Sequence, residues 1–333
     1  MSIATPHYEA KTEERAPGQA RTARDTRIIA LKIADLRLVL QSVADDLPLQ
    51  MAGPISEFID REEGAQPDVE ISVGWADALE DFDEGRLLFD SGSIWRLYEL
   101  ADGGYEFRLA APFSNWQTYK VARFNKDWTR GEILCRRAYF RAGEGVSPLE
   151  YPLDEVLIST LLARGRGIEI HACGLLDSDG NGYLFTGQSG AGKSTTASLW
   201  AQADERVSVL SDERVILRLR DGRIRMYGTP WHGDARVARP DSAPLTRIFF
   251  LARGTHNDLV PLSRADSAAR LFACSFPTFY SPDGLAFALE FLDELTRLVP
   301  CDELRFVPDP QVIAFIRSQE GTNLTTETQR HSE

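Results

Sequence analysis

The first half of the chain alternates apolar and polar side chains in short runs, which is typical of half-buried β-strands. Residues 28–33 (IIALKI) open this region with β-branched and apolar side chains, which favour a strand. Residues 94–100 and 105–109 flank the turn segment 102–104 (DGG), and this arrangement predicts a hairpin. The pattern therefore predicts a β-rich N-terminal domain over residues 28–150.

Aromatic side chains are frequent in this region. Strand spacing places such side chains in the core or opposite one another across strands. We therefore expect packing rather than a carbohydrate- or peptide-binding surface. The residues concerned are Trp95, Tyr98, Tyr105, Phe107, Phe113, Trp116 and Tyr119.

The pattern changes to a mixture of helical and strand spacing in the second half of the chain. Residues 153–163 (LDEVLISTLLA) carry apolar side chains at helical spacing, and residues 285–298 (LAFALEFLDELTRL) do the same. Short apolar segments such as 168–172 and 183–186 predict strands between these helices. We therefore expect an α/β domain over residues 151–318.

Length and composition narrow the class of protein. The 333 residues include 43% apolar side chains, which is enough for a packed core. There are 37 Lys and Arg against 50 Asp and Glu, and the net charge of −13 argues against a general nucleic-acid binder, which needs a basic face. No apolar run approaches the roughly 18–20 residues that span a bilayer, so no membrane partner is expected.

The two ends of the chain are polar and poor in large apolar groups. Residues 1–27 and 319–333 cannot bury enough surface to offset their ordering entropy, so we expect disordered tails. The N-terminus is too polar and acidic for a secretory signal. The four cysteines are far apart and form no C-x-x-C pair. These observations favour a cytoplasmic protein.

A glycine-rich segment carries the first chemical signal. Residues 187–194 (GQSGAGKS) fit the pattern G-x-x-x-x-G-K-[ST] at every fixed position. In such a loop the backbone N–H groups surround a phosphate, Lys193 reaches the β- and γ-phosphates, and the Ser194 hydroxyl binds Mg²⁺. An apolar strand precedes the loop and a helix follows it, so we expect an ATP site. The predicted nucleotide-binding residues are Gly187, Gln188, Ser189, Gly190, Ala191, Gly192, Lys193, Ser194 and Thr195.

A second signal follows one helix later. The apolar run 207–211 delivers Asp212 and Glu213 at its end, which is what a Mg²⁺–nucleotide site needs from a second element. The segments 214–220 and 224–227 then flank Asp-Gly, which predicts a hairpin. Because this acid-tipped strand leads into an antiparallel hairpin and not into a helix, the sheet around the site should be mixed.

These features together resemble the catalytic domain of the HPr kinase/phosphorylase family, whose fold is shared with phosphoenolpyruvate carboxykinase. The resemblance covers about residues 150–318. It implies a mixed-sheet α/β P-loop kinase domain of the HPr kinase/phosphoenolpyruvate-carboxykinase type, preceded by the β-rich N-terminal domain. The segments that carry it are 170–174 (IHACG), 182–195 (GYLFTGQSGAGKST), 210–215 (LSDERV), 226–234 (MYGTPWHGD) and 247–251 (RIFFL).

The resemblance also implies catalytic roles. Lys193 keeps its role in the P-loop, and His171 matches a family histidine close to the transferred phosphoryl group. Asp212 and Glu213 match a family Asp-Asp pair, of which one member takes the proton from the acceptor serine hydroxyl and the other serves the metal region. Either of the two acids can be the base, and Asp212 is preferred.

The metal ligands that the resemblance implies are Ser194 and Glu213. The family's metal-binding Glu has no clear equivalent, and Asp234 is the predicted substitute, with His232 as an alternative. A guanidinium beside the γ-phosphate would help to neutralise its charge. Candidate donors, each of which is more typical of a surface residue, are Arg236, Arg247 and Arg253.

The predicted function is that of an ATP- and Mg²⁺-dependent kinase that phosphorylates a hydroxyl, with a serine of a protein or peptide as the first expectation. Two alternatives remain open: a kinase for a small-molecule hydroxyl, and a non-catalytic ATP-binding module in regulation or assembly. The sequence does not fix the oligomeric state, and a homo-oligomer is one option.

Overall fold

The computed structural model describes residues 27–62, 64–79, 85–188 and 190–319. The chain is a mixed α/β protein with two mixed β-sheets. Residues 1–26 and 320–333, which make up nearly all of the two predicted tails, lie outside the described residues. Within the described ranges, no helix has the length and apolar character required to cross a membrane.

The first sheet contains eight strands from the N-terminal half of the described chain, in the order β1-β2-β3-β8-β7-β6-β5-β4. β2 and β8 each run parallel to β3, and the other neighbours are antiparallel. The strands are β1 (Ile28–Ile33), β2 (Leu36–Ser42), β3 (Val69–Ala76), β4 (Arg86–Asp90), β5 (Trp95–Glu99), β6 (Tyr105–Ala110), β7 (Thr118–Phe124) and β8 (Arg130–Arg136).

The predicted hairpin is confirmed, because β5 and β6 pair in antiparallel register. Its aromatic residues pack as expected at Trp95 and Phe107, whose ring centroids are 6.0 Å apart. The same expectation was wrong for Trp116, which is 57% exposed, and it holds only in part for Phe113, which is 64% exposed although its ring packs on Tyr119 with centroids 4.8 Å apart. Both lie in the tight loop between β6 and β7, where Asn115 and Trp116 adopt left-handed backbone angles (φ 51° and 61°) that interrupt strand alternation.

The second sheet contains nine strands, in the order β14-β13-β12-β9-β10-β15-β17-β16, with β11 also paired to β9. β15 runs parallel to both β10 and β17, whereas all the other strand pairs of this sheet are antiparallel, so the prediction of a mixed sheet is confirmed. The strands are β9 (Ile168–Leu176), β10 (Gly182–Thr186), β11 (Ser208–Ser211), β12 (Arg214–Arg220), β13 (Arg223–Tyr227), β14 (Ser242–Pro244), β15 (Arg247–Arg253), β16 (Asp258–Pro261) and β17 (Cys301–Phe306).

Helices surround this sheet. The predicted helix at 153–163 is confirmed as α1, and the helix at 285–298 begins earlier, at Pro282. The earlier start has a local cause, because the Ser281 hydroxyl caps the Gly284 N–H and proline fits the first helical turn. The helices are α1 (Leu153–Leu162), α2 (Lys193–Ala203), α3 (Arg264–Ala273), α4 (Pro282–Leu298) and α5 (residues 311–319).

α1 connects the two sheets. Its buried side chains Leu153, Leu157 and Leu161 belong to the same apolar cluster as the strands of the first sheet. On its other side, the Ser159 hydroxyl donates to Glu169 in β9 of the second sheet at 2.9 Å. α1 therefore packs against the first sheet and also fixes the start of β9 in the second sheet.

Candidate functional site

The glycine-rich loop lies between β10 and α2. Gly190 and Gly192 have φ of 79° and 110°, and Gly187 has φ of 152°, all in the region that favours glycine. Space is restricted as well, since a β-carbon at Gly192 would lie 3.1 Å from the ring of Phe306 at the end of β17. The loop geometry therefore depends on these glycines. The predicted residue Ser189 lies outside the described residues.

The lysine of the loop begins α2 and is 6% exposed. Its ammonium donates to the carbonyls of Gly187 and Gln188 at 3.2 and 3.4 Å, so it lies over the loop. Burial lowers the pKa of Lys193. The side chain of Ser194 is half-buried and that of Thr195 is exposed, both in the first turn of α2, where backbone N–H groups have no intrahelical partner. Such a turn, with an ammonium beside it, fits a polyphosphate.

The two predicted acids lie at a break between two strands. β11 and β12 both pair with β9, with Ser211 opposite Gly174 and Arg214 opposite His171. Asp212 and Glu213 occupy the break. Both carboxylates lie near Gly233, but their hydrogen-bond partners differ.

Asp212 is turned into the protein and is 0% exposed. Its Oδ1 accepts hydrogen bonds from the N–H groups of Gly233 and Val237 at 3.1 and 3.3 Å, and its Oδ2 accepts one from Ala235 at 2.8 Å. The carboxylate thus holds the loop 228–237, which we call the amide loop. Both of its oxygens are occupied by backbone donors.

The side chain of Glu213 is less enclosed than that of Asp212 and is 33% exposed. Its Oε1 lies 3.1 Å from Nε2 of His171, whose side chain is 26% exposed. The hydrogen bond from His171 lowers the pKa of Glu213, and the charges of Arg214 and Lys193 lower it further. The structure therefore brings Glu213, His171 and Lys193 into one electrostatic environment, with an ionised carboxylate at neutral pH.

The amide loop packs directly on both acids. A β-carbon built on Gly233 would lie 2.9 Å from Oδ2 of Asp212 and 3.0 Å from Oε2 of Glu213. The loop is also tied to α1, because Nε1 of Trp231 donates to Oδ2 of buried Asp154 at 3.0 Å. Burial raises the pKa of Asp154 to about 6.

The predicted metal ligands are distributed unevenly. Ser194 lies in the first turn of α2 and Glu213 lies beside His171, whereas Asp234 is exposed on the amide loop. Within the part of the chain that the structure describes, no hydrogen bond or ion pair joins Asp234 to Ser194 or Glu213. The same part contains no group of three or more His, Cys, Asp or Glu that could hold a metal ion. Mg²⁺ that is bound through nucleotide phosphates needs only one or two protein oxygens, so Ser194 and Glu213 fit it.

An arginine next to the acids was missed by sequence reasoning. The Nε of Arg214 lies 3.3 Å from Glu155 of α1 and 3.6 Å from Glu169 of β9, and its guanidinium carbon lies 3.9 Å from the ring centroid of Phe276. Of the arginines considered from sequence, Arg247 is bound to Asp302 at 2.8 Å and is buried. The one available signal for Arg214 was its place directly after the acidic pair.

Comparisons with known proteins give little beyond this geometry. No protein-family model matches the chain, and no curated protein matches it. Among solved structures, the chain is similar to the Hpr(Ser) kinase/phosphatase from Coxiella burnetii at 12% sequence identity and a TM-score of 0.30. The match covers 50% of this chain and 98% of that chain. It is a distant structural resemblance, and no conclusion on activity rests on it.

Proposed function

We propose that the chain is an ATP- and Mg²⁺-dependent kinase that transfers the γ-phosphoryl group to a hydroxyl, with a serine of a protein or peptide as the acceptor. The observation that carries the proposal is the Glu213–His171 pair in the same electrostatic environment as Lys193 of the glycine-rich loop. Phosphoryl transfer requires a polyphosphate grip, charge neutralisation and a group that orients the attacking hydroxyl. This arrangement supplies all three.

The nucleotide is held by the loop. The N–H groups of the first turn of α2 and the ammonium of Lys193 bind the β- and γ-phosphates. Ser194 would hold Mg²⁺, with Glu213 or Asp234 as a further oxygen ligand. When bound, the metal ion neutralises charge on the phosphate oxygens.

Glu213 is the residue that we assign to the attacking hydroxyl. Its carboxylate is ionised and partly exposed, so an acceptor can approach it. Asp212 is fully buried and its oxygens are bonded to three backbone N–H groups, so an acceptor has no route to it. The low pKa of Glu213 is acceptable for this role, because a loose transition state needs orientation of the hydroxyl more than a strong base.

Asp212 and His171 then act as positioning residues. Asp212 fixes the amide loop, whose Gly233 lies against both carboxylates. His171 fixes the rotamer of Glu213 through the contact of 3.1 Å between Nε2 and Oε1. The backbone of His171 is itself anchored, because its backbone N–H donates to the Cys274 carbonyl at 2.7 Å and its backbone carbonyl accepts from the Thr186 hydroxyl at 3.0 Å.

The class of acceptor is inferred from the motifs that resemble those of HPr kinases. The decisive experiment incubates the purified chain with MgATP labelled in the γ-phosphate and three sets of acceptors: serine peptides, small polyols and water. The wild type, Lys193→Ala and Glu213→Gln are compared. Label on peptide serine in the wild type and in neither variant supports the proposal.

Two other outcomes would indicate a different function. Label on polyols alone would indicate a small-molecule kinase. Binding of MgATP without transfer to any acceptor, water included, would leave a nucleotide-binding module and end the kinase proposal.

A further inference from the structure

Two carboxylates and an aromatic ring hold the side chain of Arg214. Its Nε contacts the carboxylates of Glu155 and Glu169, and its planar guanidinium stacks on Phe276 at 3.9 Å. Its side chain is only 14% exposed. An arginine bound in this way has lost most of its rotamer freedom, so its remaining donors point in a fixed direction.

The two terminal nitrogens of Arg214 are not used by this support. No hydrogen bond between described residues involves its Nη1 or Nη2, and neither atom is among the buried polar atoms that lack a partner. The free donors are therefore in contact with solvent. The other contacts of this side chain are with Glu155, Glu169 and Phe276.

The position of Arg214 places these donors at the candidate site. It follows Glu213 in sequence and lies opposite His171 across the β9–β12 ladder. Thr186, the last residue before the glycine-rich loop, donates its hydroxyl to the carbonyl of His171 at 3.0 Å, so the loop that carries Lys193 begins beside the position that Arg214 faces. Two cations beside an ionised carboxylate favour the binding of a multiply charged anion.

Two acids lie behind the guanidinium of Arg214. Burial raises the pKa of Glu169 well above its usual range, and the neighbouring charge of Glu155 adds to the effect. Both carboxylates contact the guanidinium through Nε, so they fix the side chain without engaging Nη1 or Nη2 in a hydrogen bond among the described residues.

We propose that Arg214 is a catalytic residue of this kinase: its Nη1 and Nη2 bind the equatorial oxygens of the γ-phosphoryl group during transfer. The bond between the γ-phosphorus and the β–γ bridging oxygen breaks, a bond from the acceptor oxygen forms, the hydroxyl proton passes to Glu213, and ADP leaves. Arg214 exchanges no proton and stabilises the charge on the transferred group. The inference rests on the proposed function and adds a residue to it.

The test compares Arg214→Met and Arg214→Lys with Arg218→Met. Arg218 is a matched control because it is a buried arginine on the same strand, bound to the carbonyls of Arg166 and Ala34, away from the P-loop. Three quantities are measured for each protein: kcat for transfer to acceptor or water, Kd for MgATP, and Kd for MgADP with aluminium fluoride. The last complex imitates the planar transferring phosphoryl group and needs no acceptor.

A residue that contacts this group should act on the transition state and not on the ground state. We expect Arg214→Met to lower kcat by roughly 10³-fold and to weaken the aluminium fluoride complex by a similar factor, with Kd for MgATP within about threefold of the wild type. Arg214→Lys should recover only part of the loss, because lysine lacks the forked donor geometry. Arg218→Met should lower stability and leave both affinities unchanged.

Contrary results are separable from failure of the proposed function. If the wild type transfers phosphate and Arg214→Met does so within threefold of its rate, the role of Arg214 is refuted and the kinase stands. If the wild type binds nucleotide but transfers none, the kinase is refuted, and equal binding of MgADP–aluminium fluoride by the wild type and Arg214→Met refutes the role of Arg214 as well. An equal loss of MgATP and aluminium fluoride affinity would show a nucleotide-binding role and refute the transition-state role.

Discussion

The two adjacent acids of the candidate site should respond in opposite ways to removal of their charge. We compare Asp212→Asn with Glu213→Gln, two changes that alter side-chain volume very little. Asp212 is buried under three backbone N–H groups, whereas Glu213 is partly exposed and contacts His171. We therefore expect Asp212→Asn to cost stability and Glu213→Gln to cost catalysis.

The size of the stability loss follows from the three hydrogen bonds. The Oδ1 of an asparagine can still accept from Gly233 and Val237, but its amide group would face the N–H of Ala235 as donor against donor. One buried N–H is then left unsatisfied, and the other two bonds lose their charge assistance. Together these effects cost about 2–4 kcal/mol in the free energy of unfolding. Glu213→Gln leaves no buried donor unsatisfied and should cost less than about 1 kcal/mol.

The assay combines equilibrium unfolding with single-turnover transfer. Urea unfolding monitored by circular dichroism gives the free energies. Transfer is measured under conditions where the variants are folded. Glu213→Gln should lower kcat by roughly 10²–10⁴-fold, whereas folded Asp212→Asn should retain transfer within about tenfold.

One pattern of results would refute this reasoning. If Asp212→Asn is as stable as the wild type and transfers no phosphate, while Glu213→Gln remains active, then Asp212 is the base. The hydrogen bonds between Asp212 and the amide loop would in that case be absent from the active protein.

Three further predictions follow from buried charges. Lys193→Ala should weaken MgATP binding at least roughly 100-fold by calorimetry, because its ammonium lies over the phosphate loop; unchanged binding would contradict the site. Burial raises the pKa of Asp154 to about 6 in the folded chain, so the folded state holds a proton that the unfolded chain releases at lower pH. The free energy of unfolding should therefore fall by at most about 3 kcal/mol as pH rises from 4 to 6. Asp154→Asn should reduce this pH dependence in urea titrations. Arg317→Ala should destabilise the chain by about 2 kcal/mol because it leaves buried Asp177 without its forked partner, whereas exposed Arg305→Ala should change Tm very little.

Local pattern was sufficient to predict much of the second sheet. The apolar repeat at helical spacing predicted α1, and Asp-Gly between two apolar runs predicted the β12–β13 hairpin. The hairpin after the acids also predicted a mixed sheet, which the structure has. These features depend on residues close together in sequence, so the sequence alone contains the information for them.

The parts of the site that depend on distant residues could not be predicted. Asp212 and Glu213 look equivalent in sequence, and only the folded chain shows that the amide loop covers Asp212 and that His171 lies beside Glu213. Arg214 looked like an ordinary strand residue, since its supports come from α1, β9 and the segment that contains Phe276. Phe113 and Trp116 were assigned to packing because strand spacing gives no sign of the left-handed turn at Asn115 and Trp116.

The break between β11 and β12 explains why two adjacent carboxylates do not compete for one role. If the strand continued without a break, strict alternation would put the two carboxylates on opposite faces of the sheet, whereas here Gly233 lies close to both of them. The break gives Asp212 backbone donors, which make its burial tolerable. It also leaves Glu213 next to the position where Arg214 pairs with His171. The same irregularity therefore satisfies the structural acid and positions the partly exposed one, so exchanging the two residues should impair both stability and transfer.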